Sequence, residues 1–377
     1  MNTTEKYSGH PAYVRLAMTY SSVKVMGPPM STKLVEIISH IFSLNEALVC
    51  GYMSFIHPKT ARKIAHDSGL PSDYIAAILA SMAEKRIIIT YGNRFMLYPL
   101  FPGAFEYILM TGKHDAWHKK YAELVNELFD TGYMREYFSR PVNAIRNIPV
   151  QRAVENKSFI AGADLVSELI DSHRNFAILN ACPCRQSMHL TGHECKRAAA
   201  ADGCLIFGEY SDSIVQNNSG RRVDKNEMRD TVTERWEKKL VFLTSNVMPA
   251  APTAICTCCD CCCHALGVHN QLSKNLIAAS HCIAVLDESK CNNCGRCVKA
   301  CNTMAHCIKD KKHEYNPENC IGCGNCAMEC KNGAIVMMEN ALYRPPHENY
   351  SRLILKILPR IILMGTTIKL RRYFRRT

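Results

Sequence analysis

Two runs of cysteine in the last quarter of the chain share one spacing, CxxCxxCxxxC. The first is Cys291, Cys294, Cys297 and Cys301; the second is Cys320, Cys323, Cys326 and Cys330. A [4Fe–4S] cube needs four thiolates converging on one small body. Three cysteines separated by two residues wrap one cube in a tight loop. The fourth, three residues on, points the other way and reaches the neighbouring cube. The spacing therefore predicts one cluster on Cys291, Cys294, Cys297 and Cys330 and another on Cys320, Cys323, Cys326 and Cys301. Single-electron transfer is the chemistry that follows. Two zinc sites would also consume eight cysteines, but a duplicated three-then-one spacing is not that of a zinc ribbon.

Residues 286–340 resemble bacterial-type two-cluster ferredoxins. Gly295 and Gly324, each after the second cysteine of its run, suit loops in which backbone N–H groups approach sulfide. The second half keeps that family's Gly333-Ala334-Ile335 ending, whereas the first half reads Thr303-Met304-Ala305. Asn302 and Lys331 stand where those ferredoxins carry a proline after the fourth cysteine.

A second cysteine-rich region lies upstream. The apolar run Phe176-Ala177-Ile178-Leu179 leads into Cys182-Pro183-Cys184-Arg185, and Cys195 and Cys204 follow. A charged helical segment over residues 224–239 and a second apolar run, Leu240-Val241-Phe242-Leu243, lead through Pro252 to another group. That group is Cys256, Cys258, Cys259, Cys261, Cys262 and Cys263, six cysteines in eight positions. Thiols this crowded in a reduced protein point to metal. Neighbouring side chains diverge, so six such cysteines are not expected on one cube. Either Cys182, Cys184, Cys195 and Cys204 close one cluster while the later run holds another, or both segments share a single cluster with thiols to spare. One or two additional iron–sulfur clusters are expected, cubane or not, with zinc as the structural alternative. His189, His193 and His264 are better read as hydrogen-bond donors to sulfur than as ligands. Cys50, Cys282 and Cys307 stand alone and read as core or spare thiols. The CPCR segment, the CCxCCC run and the two-cluster module together resemble a group of ferredoxin-domain proteins of anaerobes. That resemblance implies a redox role and no substrate.

Composition bounds the setting. Among 377 residues there are 21 cysteines. The first residues show neither an apolar leader core nor twin arginines, so a reducing cytoplasm, thiolates and no disulfides are expected. The net charge of +12 is not spread evenly: nine of the 46 basic side chains, but one of the 34 acidic ones, fall after residue 340. A basic tail, rather than a basic protein, is what the charge describes.

These groups need elements to hold them. The expected architecture is α+β and multidomain. Residues 1–30 read as an irregular arm and 101–175 as a helical connector. Residues 176–285 read as a cysteine-rich α/β metal domain, 286–340 as the two-cluster ferredoxin-like domain and 341–377 as a basic amphipathic tail. Over 31–100, a helix at 31–44 precedes a helix, a turn at Gly69, a second helix from Ser72 and two strands around Gly92-Asn93. This order resembles a winged-helix domain. Its second helix has no Lys or Arg over 72–83 and carries Asp73, which argues against DNA and for packing or protein docking.

In the tail, Arg352, Lys356 and Arg360 recur every four residues beside Leu353, Ile354, Leu355, Ile357, Leu358, Ile361, Ile362, Leu363 and Met364. Pro359 is expected to kink or interrupt the helix. The apolar stretch is far short of the roughly 20 residues a spanning helix needs. Residues 350–377 therefore read as a basic segment on an anionic membrane face, or docked on protein.

The chain as a whole reads as an electron-transfer protein at the inner face of the membrane. It would relay electrons between a redox protein partner and the second cysteine region. Alternatives are an oxidoreductase subunit reducing a substrate at that region, and a redox-sensing regulator using the winged helix. No phosphate loop, nucleophile elbow or carboxylate pair is present, and the sequence names no small-molecule substrate.

Overall fold

A computed structural model describes residues 7–138, 142–150, 166–248, 253–272 and 276–374. Pro252, Arg375, Arg376 and the first six residues, on which parts of the linker, tail and leader expectations rest, lie outside the described residues. The chain forms two compact units. One comprises the chain to Tyr137, Gln186–His193 and the chain from Ile361; the other comprises Phe138–Arg185 and Glu194–Arg360.

In the first unit, the expected irregular arm contains a helix, Pro11–Tyr20. Proline at the first helical position costs no hydrogen bond, and His10 Nδ1 accepts from the Ala12 N–H at 3.2 Å. Val14, Leu16 and Tyr20 are buried along it. The helix expected over 31–44 ends at Ile41, and a second begins at Leu44. Ser43 forces the break: its hydroxyl accepts from the Glu46 N–H, and the Glu46 carboxylate accepts from the Ser43 N–H at 2.8 Å. This reciprocal cap starts a new helix.

Next come β1 (Lys59–Thr60), helix Ala61–Ser68, helix Ser72–Glu84, β2 (Ile88–Tyr91) and β3 (Arg94–Leu97), the strands forming a small antiparallel sheet in the order β1-β3-β2. Gly69 sits at φ +70° between the two helices, a conformation that suits glycine. Ile64, on the first of these helices, and Ile75, Leu79 and Met82, on the second, are buried. Helix Ala116–Asp130 follows, within the expected helical connector.

The second unit is built on a seven-stranded sheet. In chain order its strands are β4 (Ile145–Asn147), β5 (Phe176–Leu179), β6 (Leu205–Phe207), β7 (Gly220–Val223), β8 (Val241–Ser245), β9 (Ala254–Cys258) and β10 (Ile277–Ala278). Their spatial order is β10-β4-β8-β9-β6-β5-β7, with β10 parallel to β4 and every other pair antiparallel. The expected α/β metal region is thus mainly antiparallel, and part of the expected helical connector, β4, is one of its strands. The apolar runs at Phe176–Leu179 and Val241–Ser245 are central strands buried on both faces, which is why they read as continuous apolar stretches rather than alternations.

Beside this sheet, β11 (Cys282–Leu286) pairs antiparallel with β14 (Ile335–Glu339), while β12 (His306–Lys309) and β13 (Lys312–Tyr315) form a hairpin. Short helices Arg296–Ala300 and Asn325–Glu329 follow Gly295 and Gly324, both at positive φ. One apolar cluster runs from Phe176, Leu205 and Phe242 of the large sheet to Ala284, Ile335 and Met337 of the small one. The ferredoxin-like part therefore shares a core with the sheet and is not a bead on a linker.

The C-terminal segment is one helix, Tyr350–Phe374, with Pro359 inside it. Proline removes one N–H donor, and the turns on either side carry the helix past it, so the expected interruption does not occur. Arg372 is not free for an external anion: it pairs with Glu136 at 2.9 Å and donates to the Gly27 carbonyl at 3.2 Å.

Candidate metal centres

Cys291, Cys294, Cys297 and Cys330 line one hollow of about 140 Å³, together with Gly295, Arg296, His313 and Ala334. The fourth cysteine of the second run is thus brought to the first three of the first run. The complementary set is also close. Burial pushes the Cys323 thiol up to about 12, with the nearby Cys301 and Cys320 sulfurs adding to the effect. Cys326 is raised by burial and by Cys323, Cys320, Cys301 and Cys297. The last of these belongs to the other quartet, so the two sets of sulfurs feel one another.

Backbone N–H groups point at these sulfurs: Ala305 donates to Cys301 Sγ at 3.3 Å and Gly322 to Cys320 Sγ at 3.4 Å. Such donors stabilise negative charge on thiolate and sulfide. Gly322, not singled out in the sequence, is held at φ +74°, and a Cβ there would fall 1.9 Å from the Cys282 carbonyl oxygen. The residues present fit two cubes: four convergent thiols each, loops at positive φ, and donors aimed at sulfur.

Two histidines were invisible to sequence reasoning. His313 lies between Cys297 (Sγ to Nε2, 3.3 Å) and Cys291 (Sγ to Nδ1, 3.5 Å), and His306 Nδ1 is 2.9 Å from His313 Nε2. Both rings are buried, and burial pushes His306 down to about 4, so it is neutral near pH 7. Their place comes from the β12–β13 hairpin, whose register no local pattern announced. His189, His193 and His264 belong to no close ligand group among the described residues. Cys50 is a buried thiol beside Met82, Cys282 is in the core and Cys307 is exposed.

The ten upstream cysteines divide in a way that matches neither expected partition. Six form a ring in which each sulfur acts on two others: Cys182, Cys184, Cys263, Cys258, Cys256, Cys204 and back to Cys182. The neighbouring thiols hold Cys182, Cys256 and Cys263 well below the usual thiol range. The thiols between them, Cys184, Cys204 and Cys258, are pushed well above it by the same neighbours. Cys256 and Cys258 join from one face of β9, where alternate residues share a side. Cys195, Cys259, Cys261 and Cys262 form the other group, with all four sulfurs within 4.8 Å of one another. Each group draws on both segments. Cys261 and Cys262 converge to 3.6 Å although adjacent, because the chain turns there instead of running as a strand. No disulfide joins any of the 21 cysteines.

Arg185 says what charge the ring region carries. It is 1% exposed, the largest fully buried side chain among the described residues. Its guanidinium donates to the carbonyls of Ala199 (3.1 Å), Thr257 (2.8 Å) and Asp202. The carboxylate of Asp202 pairs with Arg235 and Lys238 instead. Desolvation opposes the charge on Arg185, and the sulfur of Cys182 leads the groups that favour it. A buried cation is tolerated when anions surround it. Here the anion beside it is the Cys182 sulfur, and thiolates on metal would supply such charge permanently.

Residues 284–305 and 313–336 match the 4Fe-4S binding domain family. Over 52 residues, 14% of this chain, the sequence is 46% identical to pyruvate synthase subunit PorD of Methanothermobacter marburgensis. The match spans 60% of that relative's length. No solved structure matches the chain. The chain therefore carries a [4Fe–4S] binding module with two repeats, of the kind that serves iron–sulfur electron transfer.

Proposed function

We propose that the protein relays single electrons between a redox protein partner and a further cysteine-ligated metal centre. In this reading Cys291, Cys294, Cys297 and Cys330 hold one cube, and Cys320, Cys323, Cys326 and Cys301 the other. The clusters carry the electron; the chain ligates them, donates N–H groups to their sulfurs and keeps them close. The observation that supports the reading best is the shared core, which seats the ferredoxin-like part against the sheet that bears the upstream thiols. The name of the relative, a subunit of pyruvate synthase, favours an enzyme complex as the partner.

The test is an iron count with a reductive titration followed by EPR, on protein purified without oxygen. Iron clearly above the roughly eight that two cubes contain, with a third reducible centre, is expected. Two cubes and no other redox centre would reject the relay to a further site.

The tail is proposed as the attachment to the inner membrane face. No described helix is long and apolar enough to cross a membrane. Leu353, Met364 and Ile368 are buried, whereas Ile354, Leu355, Leu358, Ile362, Leu370 and Phe374 are exposed on the same helix. An exposed apolar stripe beside Arg352 and Lys356 suits an anionic headgroup layer. Full-length protein should float with anionic vesicles, less with neutral ones, and release in high salt; equal absence from both would leave the tail as a protein-docking helix. For the helix Ser72–Glu84, whose sequence has no Lys or Arg, protein docking in a winged-helix-like domain is proposed rather than DNA reading.

A further inference from the structure

The two upstream thiol groups differ in size. In the smaller, Cys195 Sγ lies 3.6 Å from Cys259 Sγ and 3.5 Å from Cys261 Sγ, and Cys261 Sγ lies 3.6 Å from Cys262 Sγ. A tetrahedral ion with Zn–S bonds of about 2.3 Å sets its ligand sulfurs about 3.8 Å apart. A cube sets them farther apart, because a body of four irons and four sulfides lies between them. Neither ferredoxin quartet is drawn together within 4.8 Å as this group is. The four-thiol group is therefore the size of a single ion.

Its surroundings say what such an ion would hold. Asp260, between Cys259 and Cys261, accepts from Arg197 Nε at 2.7 Å. Arg197, two residues after Cys195, donates to the Lys299 carbonyl at 3.0 Å. The Asp260 N–H donates to Asn302 Oδ1 at 3.1 Å, and Asn302 Nδ2 donates to the Lys239 carbonyl at 2.8 Å. Lys299 and Asn302 flank Cys301. Residues next to the four thiols thus grip the ferredoxin segment on both sides of a cluster cysteine. Asn302 replaces the family's proline, whose ring has no amide to bridge these groups.

We propose that Cys195, Cys259, Cys261 and Cys262 bind one structural zinc ion, a clasp that fixes the ferredoxin-like part against the cysteine-rich sheet. Zinc has no redox states to carry an electron and favours a closed tetrahedral thiolate shell. The further redox centre then belongs to the six-thiol ring beside Arg185. This inference rests on the reading of the upstream region as metal-binding, and it gives zinc and iron to different residues.

The experiment measures zinc and iron per chain in the full-length protein purified without oxygen. Wild type is expected to hold one zinc besides its iron. Cys261→Ser/Cys262→Ser should lose that zinc, keep the iron and EPR signals of the ferredoxin cubes, and be cut faster by protease around residue 260. Cys256→Ser, in the ring, should keep the zinc. Should the double variant misfold, wild type produced with cobalt provides the second measurement: visible bands of tetrahedral cobalt thiolate are expected, and Cys256→Ser should retain them. Iron beyond two cubes with no zinc and no cobalt bands would overturn the clasp and leave the relay standing. Eight irons with one zinc would overturn the relay and leave the clasp.

Discussion

Replacing Arg185 by methionine should collapse the cysteine-rich part of the second unit. The guanidinium is buried and satisfies three carbonyl oxygens with one planar fork. Methionine has similar reach but no donor, so the carbonyls of Ala199, Asp202 and Thr257 lose their partners in a dry interior. Removing one side of a buried charged arrangement costs about 3–5 kcal/mol. The ring thiolates would also lose their nearest cation, and metal retention there should fall. Arg185→Lys keeps the charge without the fork, so it should be intermediate in stability and retain metal better. Denaturant unfolding and iron content of the three proteins, prepared side by side, measure both effects. Wild-type stability and iron in the methionine variant would show that Arg185 is not what balances the sulfurs.

Replacing Cys301 by alanine should remove the cluster held by Cys320, Cys323 and Cys326, not that of its sequence neighbours. The hollow that contains Cys291, Cys294 and Cys297 is completed by Cys330. Cys301 instead acts on Cys320, Cys323 and Cys326. A cube left with three thiolates loses one iron readily, so the expected outcome is loss of up to about four irons and of one of two reduced-state EPR signals. Cys330→Ala should remove the other signal. Both spectra can be compared with those of Cys294→Ala and Cys323→Ala, which assign each signal to its loop. If Cys301→Ala matched Cys294→Ala, each run would bind its own cube and the crossed assignment would be wrong.

The local code carried much of this protein. Spacing alone pointed to two cubes, because a cube's ligand loop is short and its fourth ligand must reverse direction. The helices and hairpin between residues 60 and 98 were legible from apolar period, Gly69 and Gly92-Asn93, since caps and turns are local events. The basic, apolar-striped tail was legible as a helix for the same reason. The helix Pro11–Tyr20 was missed, since its apolar positions are interspersed with polar ones and its start depends on a histidine cap.

What only the tertiary structure decided is which distant groups meet. Ten upstream cysteines could be counted in the sequence, but their division into six and four depends on a turn at Asp260 that makes neighbours converge. It depends also on β9, which presents Cys256 and Cys258 to Cys204 and Cys263. Arg185 looked like part of a motif; its meaning lies in being buried without a carboxylate, a property of packing. His306 and His313 meet the first quartet because β12 and β13 pair in one register and not another. Ligand spacing along a loop is a short-range constraint that sequence records directly. Burial, register and the meeting of segments dozens of residues apart are set by the whole core, and they become visible once it is folded.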